Sequence, residues 1–260
     1  MKFTVASVAP IAFVFLATAC DEKKAEPAPT ASAPIPSVSA PAAAAASLAP
    51  TKVEPGKPKE CTPGPEIAVG DADLESEIRV KLNKPTGALK LSDLAGVRAI
   101  NLKKRSLDEI DACIFPKLTG LKSLSLPSGK FRDISPLAKL TQLESLRLAG
   151  NEVDDLRPLD KLTALDRLDV ARTKVKDLAV LANLVNLTEL TLDDTEVVDL
   201  APLGKLKKLE KLSIKRTKVS DVSALRDLVK LKTLYVEECP ITNLNTLNGL
   251  TSKGLKIVSR

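Results

Sequence analysis

Leucines return to the same slots every 22 residues over six successive copies, and this period constrains the chain more than anything else in it. The copies start at Leu118 (LTGLKSLSLPSGKFRDISPLAK), Leu140 (LTQLESLRLAGNEVDDLRPLDK), Leu162, Leu184, Leu206 and Leu228. A looser 24-residue copy precedes them from Leu94, and an incomplete one, LTSKGLKIVSR, follows from Leu250. A unit this short cannot bury its own apolar face, so successive units must stack as coils and share one continuous core. Within the copy from Leu140, Leu146 and Leu148 alternate with polar residues, which is strand period, and point inward. Val153, Leu156 and Leu159 then bring the chain back along the opposite side. The expected architecture is an α/β repeat solenoid with a parallel sheet on the concave side and short 3-10 or irregular turns on the convex side. Eight strands about 4.8 Å apart give a sheet on the order of 35 Å long.

Each copy reads L-x-x-L-x-x-L-x-L-x-x-[T/N/C]-x-V-x-D-L-x-P-L-x-x with minor exchanges. This resembles the leucine-rich repeat, in the 22-residue class found in bacterial internalins, and the likeness covers about two thirds of the chain. It implies a curved horseshoe with a small helical N-terminal cap, acting as a binding scaffold. The sequence before the repeats is similar to such a cap. In Asp71 to Lys84, Leu74, Ile78 and Leu82 fall on one helical face, Asp71 or Asp73 can cap, and Pro85 stops the helix. Leu89-Lys90-Leu91-Ser92-Asp93-Leu94 then leads into the first repeat. The far end, at the strand Ile257-Val258, has no comparable cap, and Lys253, Lys256 and Arg260 guard its edge.

The expected organisation is a signal peptide at 1–19, a disordered tether at 20–60, the cap at 61–93 and the repeats at 94–260. The leader has a basic start at Lys2, an apolar run to Leu16 and small residues before Cys20, which reads as an export signal. Ala17-Thr18-Ala19-Cys20 resembles a bacterial lipobox, with Leu16 one place further out than the family prefers. The resemblance implies lipidation of Cys20 and membrane anchoring in the bacterial envelope. The alternative is an ordinary A-x-A cleavage site that releases a soluble protein. Either membrane is compatible with Asp21 at the following position. Membrane contact is expected through this lipid alone. The tether is rich in Ala, Pro and Ser and has too little apolar surface to order itself. Its length gives roughly 35 Å of flexible reach, or about 100 Å if stiff.

Cys61, at the start of the cap, and Cys113, on the convex side of the first repeat, are a candidate disulfide in an exported protein, with two free thiols as the alternative. Cys239 takes the slot held by Asn151, Thr173, Thr195 and Thr217, where a structural core thiol is expected. The column Asp133, Asp155, Asp177, Asp199 and Asp221 suggests calcium only superficially. The ligand ring is missing, and each Asp is placed to cap the following convex turn, with Asn243 keeping that cap in the last full copy. No metal site and no cofactor are expected. With no His, no nucleophile beside a base and no phosphate-cradling glycine loop, catalysis is not expected either.

Charge alternates in sign from coil to coil, in Lys130, Glu152, Lys174, Glu196 and Lys218 and again in Arg172, Asp193 and Asp194, Lys215 and Arg216, Glu237 and Glu238. Opposite signs on adjacent strands favour register. On the concave side they also break up the continuous basic stripe that nucleic acid would need, so nucleic acid is not an expected partner. The concave candidates for recognition are Arg147, Arg167, Asp169, Arg172, Glu189, Asp193, Lys211, Lys215, Tyr235 and Glu237. Of these Arg147, Arg167, Arg172 and Tyr235 are the residue types favoured at hot spots. The reading is noncovalent binding of a protein, with an envelope glycan as the other ligand class. The plainer alternative is a structural or self-associating module whose concave face is merely solvated. The chain is expected to be a monomer, with the C-terminal edge as the place where copies would pair.

Overall fold

The computed structural model describes residues 61, 66–103, 107 and 109–259. Cys20, the leader and the tether lie outside the described residues. The leucine period produces an alternation of short strands and 3-10 turns. Eight strands form one parallel sheet in chain order: β3 (Ala99–Asn101), β4 (Ser123–Ser125), β5 (Ser145–Arg147), β6 (Arg167–Asp169), β7 (Glu189–Thr191), β8 (Lys211–Ser213), β9 (Thr233–Tyr235) and β10 (Lys256–Val258). The middle residue of each strand points inward and is stacked in register, Leu124 on Leu146, Leu168, Leu190, Leu212 and Leu234. All six are buried. The convex side carries 3-10 turns at Ser135–Leu137, Arg157–Leu159, Ala179–Asn183, Ala201–Lys205, Ser223–Leu225 and Leu244–Leu247. The fold is a leucine-rich-repeat solenoid.

The convex aspartates cap their turns. The backbone N–H of the residue two places on donates to Asp133, Asp155, Asp177, Asp199 and Asp221 at 2.7–2.8 Å. Asn243 does not keep that cap, contrary to the sequence expectation. Its Oδ1 accepts from the Val222 N–H of the preceding coil at 3.0 Å, and its Nδ2 donates to Asp221 at 2.7 Å. An amide can donate as well as accept, so both of its bonds go to the preceding coil, where its donor meets the Asp221 carboxylate that caps that coil's turn.

The buried slot after each strand is satisfied locally. Thr173, Thr195 and Thr217 donate through Oγ1 to the carbonyl three residues back at 2.6–2.8 Å. Asn151 spans two coils, donating to Leu148 and Pro127. Cys239 is part-buried against the core, and its thiol reaches the Ile214 carbonyl of the previous coil at 2.8 Å.

At the N-terminal end, β1 (Glu66–Ile67) pairs antiparallel with β2 (Leu89–Lys90). Between them α1 (Ala72–Leu82) starts at Asp71, which accepts the Leu74 N–H at 2.7 Å, and ends at the left-handed Asn83. Its apolar face buries Leu74 and Ile78 completely, with Leu82 packed partly against the core. Glu77 accepts the Asn101 N–H at 3.2 Å, so the helix satisfies a backbone donor on the open edge of β3. Helix α2 (Leu91–Gly96) then continues from the cap into the first repeat. Cys61 and Cys113 are joined by a disulfide, with Cα atoms 5.4 Å apart, which ties the start of the cap to the first coil.

The final strand carries one irregularity. Ile257 pairs with Leu234, 23 residues earlier, not 22. The extra residue is absorbed at Gly254, whose φ of +102° is a conformation that only glycine adopts without strain.

Candidate binding surface on the concave sheet

The first and third residues of each strand project from the concave side, because side chains alternate across a sheet. They form two rows. The first runs Ala99, Ser123, Ser145, Arg167, Glu189, Lys211, Thr233, and the second Asn101, Ser125, Arg147, Asp169, Thr191, Ser213, Tyr235. Beyond the strands, Asp193, Lys215 and Glu237 share a further slot. The next slot, held by Arg172, Asp194, Arg216 and Glu238, takes the left-handed backbone at φ 52–57° as the chain leaves the sheet.

The ten candidate residues divide into two groups. Five are engaged within the solenoid. Arg147 is paired with Asp169 at 2.7 Å. Asp193 accepts from the Ser213 hydroxyl at 2.6 Å and the Lys215 N–H at 2.9 Å. Lys215 is paired with Glu237 at 2.8 Å. On the neighbouring rim Arg216 holds Asp194 at 2.6 Å and lies 3.8 Å from Glu238.

These contacts set the ionisation. The Lys215 ammonium beside Glu237 holds its carboxyl below the usual carboxylate range, and Arg216 does the same to Asp194. The convex ladder behaves likewise: Glu196 is held low by Lys176 at 3.2 Å, with Lys218 at 3.7 Å.

The other five candidates keep polar or aromatic surface available. Arg167, Glu189 and Lys211 are direct neighbours in the first row and are all exposed. No ion pair joins them to one another. The Arg167 guanidinium comes only within 3.9 Å of Asp166 and remains 58% exposed. Arg172 is exposed one coil from Asp194. The Tyr235 ring is half-buried under two ammonium groups, Lys215 at 4.7 Å and Lys211 at 5.8 Å from its centroid. Such cation–π contacts contribute about 0.5–1 kcal/mol each at exposed sites. The pairing that separates the two groups was hidden in the sequence, because the repeat fixes which coils touch but not how far a long side chain leans along the sheet.

Among the described residues no group of three or more His, Cys, Asp or Glu is placed to hold a metal ion, and no helix is long and apolar enough to cross a membrane.

The same solenoid occurs in solved bacterial structures. An internalin of Listeria monocytogenes, InlF, superposes with a TM-score of 0.65 at 30% identity, over 70% of this chain and 54% of that one. The fold is internalin-like. A second Listeria monocytogenes internalin, InlC2, gives a TM-score of 0.61 at 24% identity, over 73% of this chain and 93% of its own. A leucine-rich-repeat protein of Leptospira interrogans gives 0.50 at 20%, over 64% of this chain and 49% of its own. The chain thus spans about half the length of the InlF structure. No family model and no curated protein matches it. Four of the five available residues, Arg167, Glu189, Lys211 and Tyr235, come from successive coils and lie on the sheet of this solenoid, with Arg172 on its rim.

Proposed function

We propose that this chain is an envelope-held leucine-rich-repeat lipoprotein that binds another protein noncovalently on its concave sheet. The observation that carries the reading is the row Arg167, Glu189, Lys211: three exposed charged groups on adjacent strands that form no ion pairs with one another, beside rows whose charges are paired. A partner offering Asp or Glu opposite Arg167, Arg172 and Lys211, and an apolar group over Tyr235, would gain contacts that the solenoid itself leaves unmade. The residues in named roles are Arg167, Arg172 and Lys211 for charge pairing, Glu189 as acceptor and Tyr235 as the aromatic anchor. Nothing in this role requires chemistry.

The disulfide between Cys61 and Cys113 supports export, since such bonds persist in oxidising compartments. Lipidation of Cys20 and a 20–60 tether would then hold the domain off the bilayer. Intact mass of protein extracted from its host's membranes tests the anchor. A mass starting at Cys20 with acyl chains supports it, and the bare mass replaces it with a diffusible protein.

The binding claim is tested by capture of solubilised envelope proteins on the wild-type chain and on Arg167→Ala/Arg172→Ala/Lys211→Ala. A protein held by the wild type is expected to bind the variant more than tenfold more weakly, a loss of about 1.4 kcal/mol or more. Equal retention would move the site off this face. The purely structural reading is favoured by the pairs Arg147–Asp169 and Lys215–Glu237, and it is the outcome if nothing is captured.

A further inference from the structure

The alternation of sign that runs across the concave face breaks down on one flank. Between each 3-10 turn and the next strand the chain reads L-x-x-L, and the two leucines are buried: Leu206 and Leu209 in one coil, Leu228 and Leu231 in the next. The residues between them turn outward to solvent, except Gly120, which is packed against Ala95 and Arg98. In the early coils these positions hold Thr119 and Gly120, Thr141 and Gln142, Thr163 and Ala164, all neutral. In the last coils they hold Lys207 and Lys208, then Val229 and Lys230, with Lys253 after, and these add to Lys205, whose slot just before the first leucine is also lysine in earlier coils, at Lys117, Lys139 and Lys161; the five late lysines are all exposed.

Lys208 and Lys230 occupy the same slot in adjacent coils, so like charges sit side by side, unlike the alternating ladders of the concave face. That arrangement works against stacking. Acids do not offset it. Glu210 is taken by Lys232 at 2.7 Å and Asp227 lies 3.7 Å from Arg226. Lys208 donates to Asn186, and Lys207 to the Asp227 carbonyl. None of Lys205, Lys207, Lys208, Lys230 or Lys253 has a carboxylate partner among the described residues. Val185 and Val229, 48% and 63% exposed, lie within the same flank.

We propose that this flank docks on an anionic phospholipid surface. Its chemistry selects that occupant. Lysine is depleted at protein interfaces, whose charged hot spots are arginine. Nucleic-acid sites combine basic groups with stacking aromatics, and this flank contains none. Flexible ammonium groups around exposed valines instead suit laterally mobile headgroups, each lysine near such a surface contributing about 1 kcal/mol. The flank lies beside the concave sheet and not on it, so docking leaves the Arg167–Glu189–Lys211 row open. The proposal needs neither the Cys20 anchor nor the concave reading.

The test is flotation of the full chain with phosphatidylcholine vesicles, with and without phosphatidylglycerol. Lys207→Glu/Lys208→Glu/Lys230→Glu/Lys253→Glu is compared with a control of equal net charge away from the flank, Lys90→Glu/Lys103→Glu/Lys130→Glu/Lys174→Glu. The leader is common to both and cancels. The flank variant is expected to lose roughly 100-fold or more of its partitioning onto the anionic vesicles, and the control less than about tenfold. The glutamine versions of the same four lysines give a milder loss in the same order should the charge reversals fold poorly. Equal losses in the two variants overturn the proposal, as does a flank variant that gains as much from phosphatidylglycerol as the wild type. Binding to an RNA oligomer or a soluble acidic protein without binding to vesicles overturns it too.

Discussion

Arg172, Asp194, Arg216 and Glu238 all hold a left-handed backbone that glycine would occupy freely, and Gly150 does so one coil earlier. A side chain in that conformation costs roughly 1–2 kcal/mol. Arg216 offsets part of this through its two-pronged contact with Asp194, at 2.6 and 2.8 Å. Arg172 has no such ion pair. Arg172→Gly is therefore expected to leave stability unchanged or raise it by up to about 1 kcal/mol in urea unfolding, after the greater freedom of the unfolded glycine is subtracted. Arg216→Gly should show no gain. If the two variants shift equally, the ion pair is not the compensating contact. At this scale the aspartate caps were legible, because an acid two places before a turn has one obvious donor to accept. Asn243 was not, since an amide has two ways to be satisfied and geometry chooses between them.

The cap and the first coils meet at an element boundary that tolerates no side chain at Gly120. A Cβ there would run into the Ala95 carbonyl and the Arg98 guanidinium, whose Nη1 donates to the Gly120 carbonyl at 2.9 Å. Gly120→Ala is expected to destabilise by roughly 1–3 kcal/mol, read in thermal or urea unfolding; an unchanged midpoint would mean that Arg98 simply swings away. The disulfide acts on the same junction. Closing a separation of 52 residues, it should contribute about 2–4 kcal/mol, so Cys61→Ser or Cys113→Ser is expected to lose that amount. The repeat strands and turns were readable from leucine spacing alone, and so was α1 from Leu74, Ile78 and Leu82. The β1–β2 pair was not, because strands this short carry no period, and the insertion at Gly254 breaks the spacing on which the reading depended.

Across the whole molecule, the paired carboxylates make stability depend on acid. Asp194, Glu196 and Glu237 have folded pKa values below their unfolded ones. Their stabilisation is complete above the unfolded range near pH 4 and is lost as pH falls through the folded values. Unfolding midpoints in urea are therefore expected to stay level from about pH 8 to 6 and to drop below about pH 4. Asp194→Asn/Glu237→Gln should lessen the drop; an unchanged profile would assign it to other carboxylates. Which coil touches which was evident from the period, whereas the extra lysines between the paired leucines of the late coils, where the early coils are neutral, emerge only when the outward slots are separated from the buried leucines.

The alternating ladder also gives the array a parity. Excising one coil, 184–205, would set Arg167 against Lys211, Arg172 against Arg216 and Lys174 against Lys218, turning attraction into repulsion at three places. Excising two, 184–227, would set Arg172 against Glu238 and Arg167 against Thr233. Added salt should accordingly stabilise the odd deletion, by about 1–3 kcal/mol from three exposed pairs, and not the even one. By sign, the smallest interchangeable unit of this solenoid is two coils, although by shape it is one.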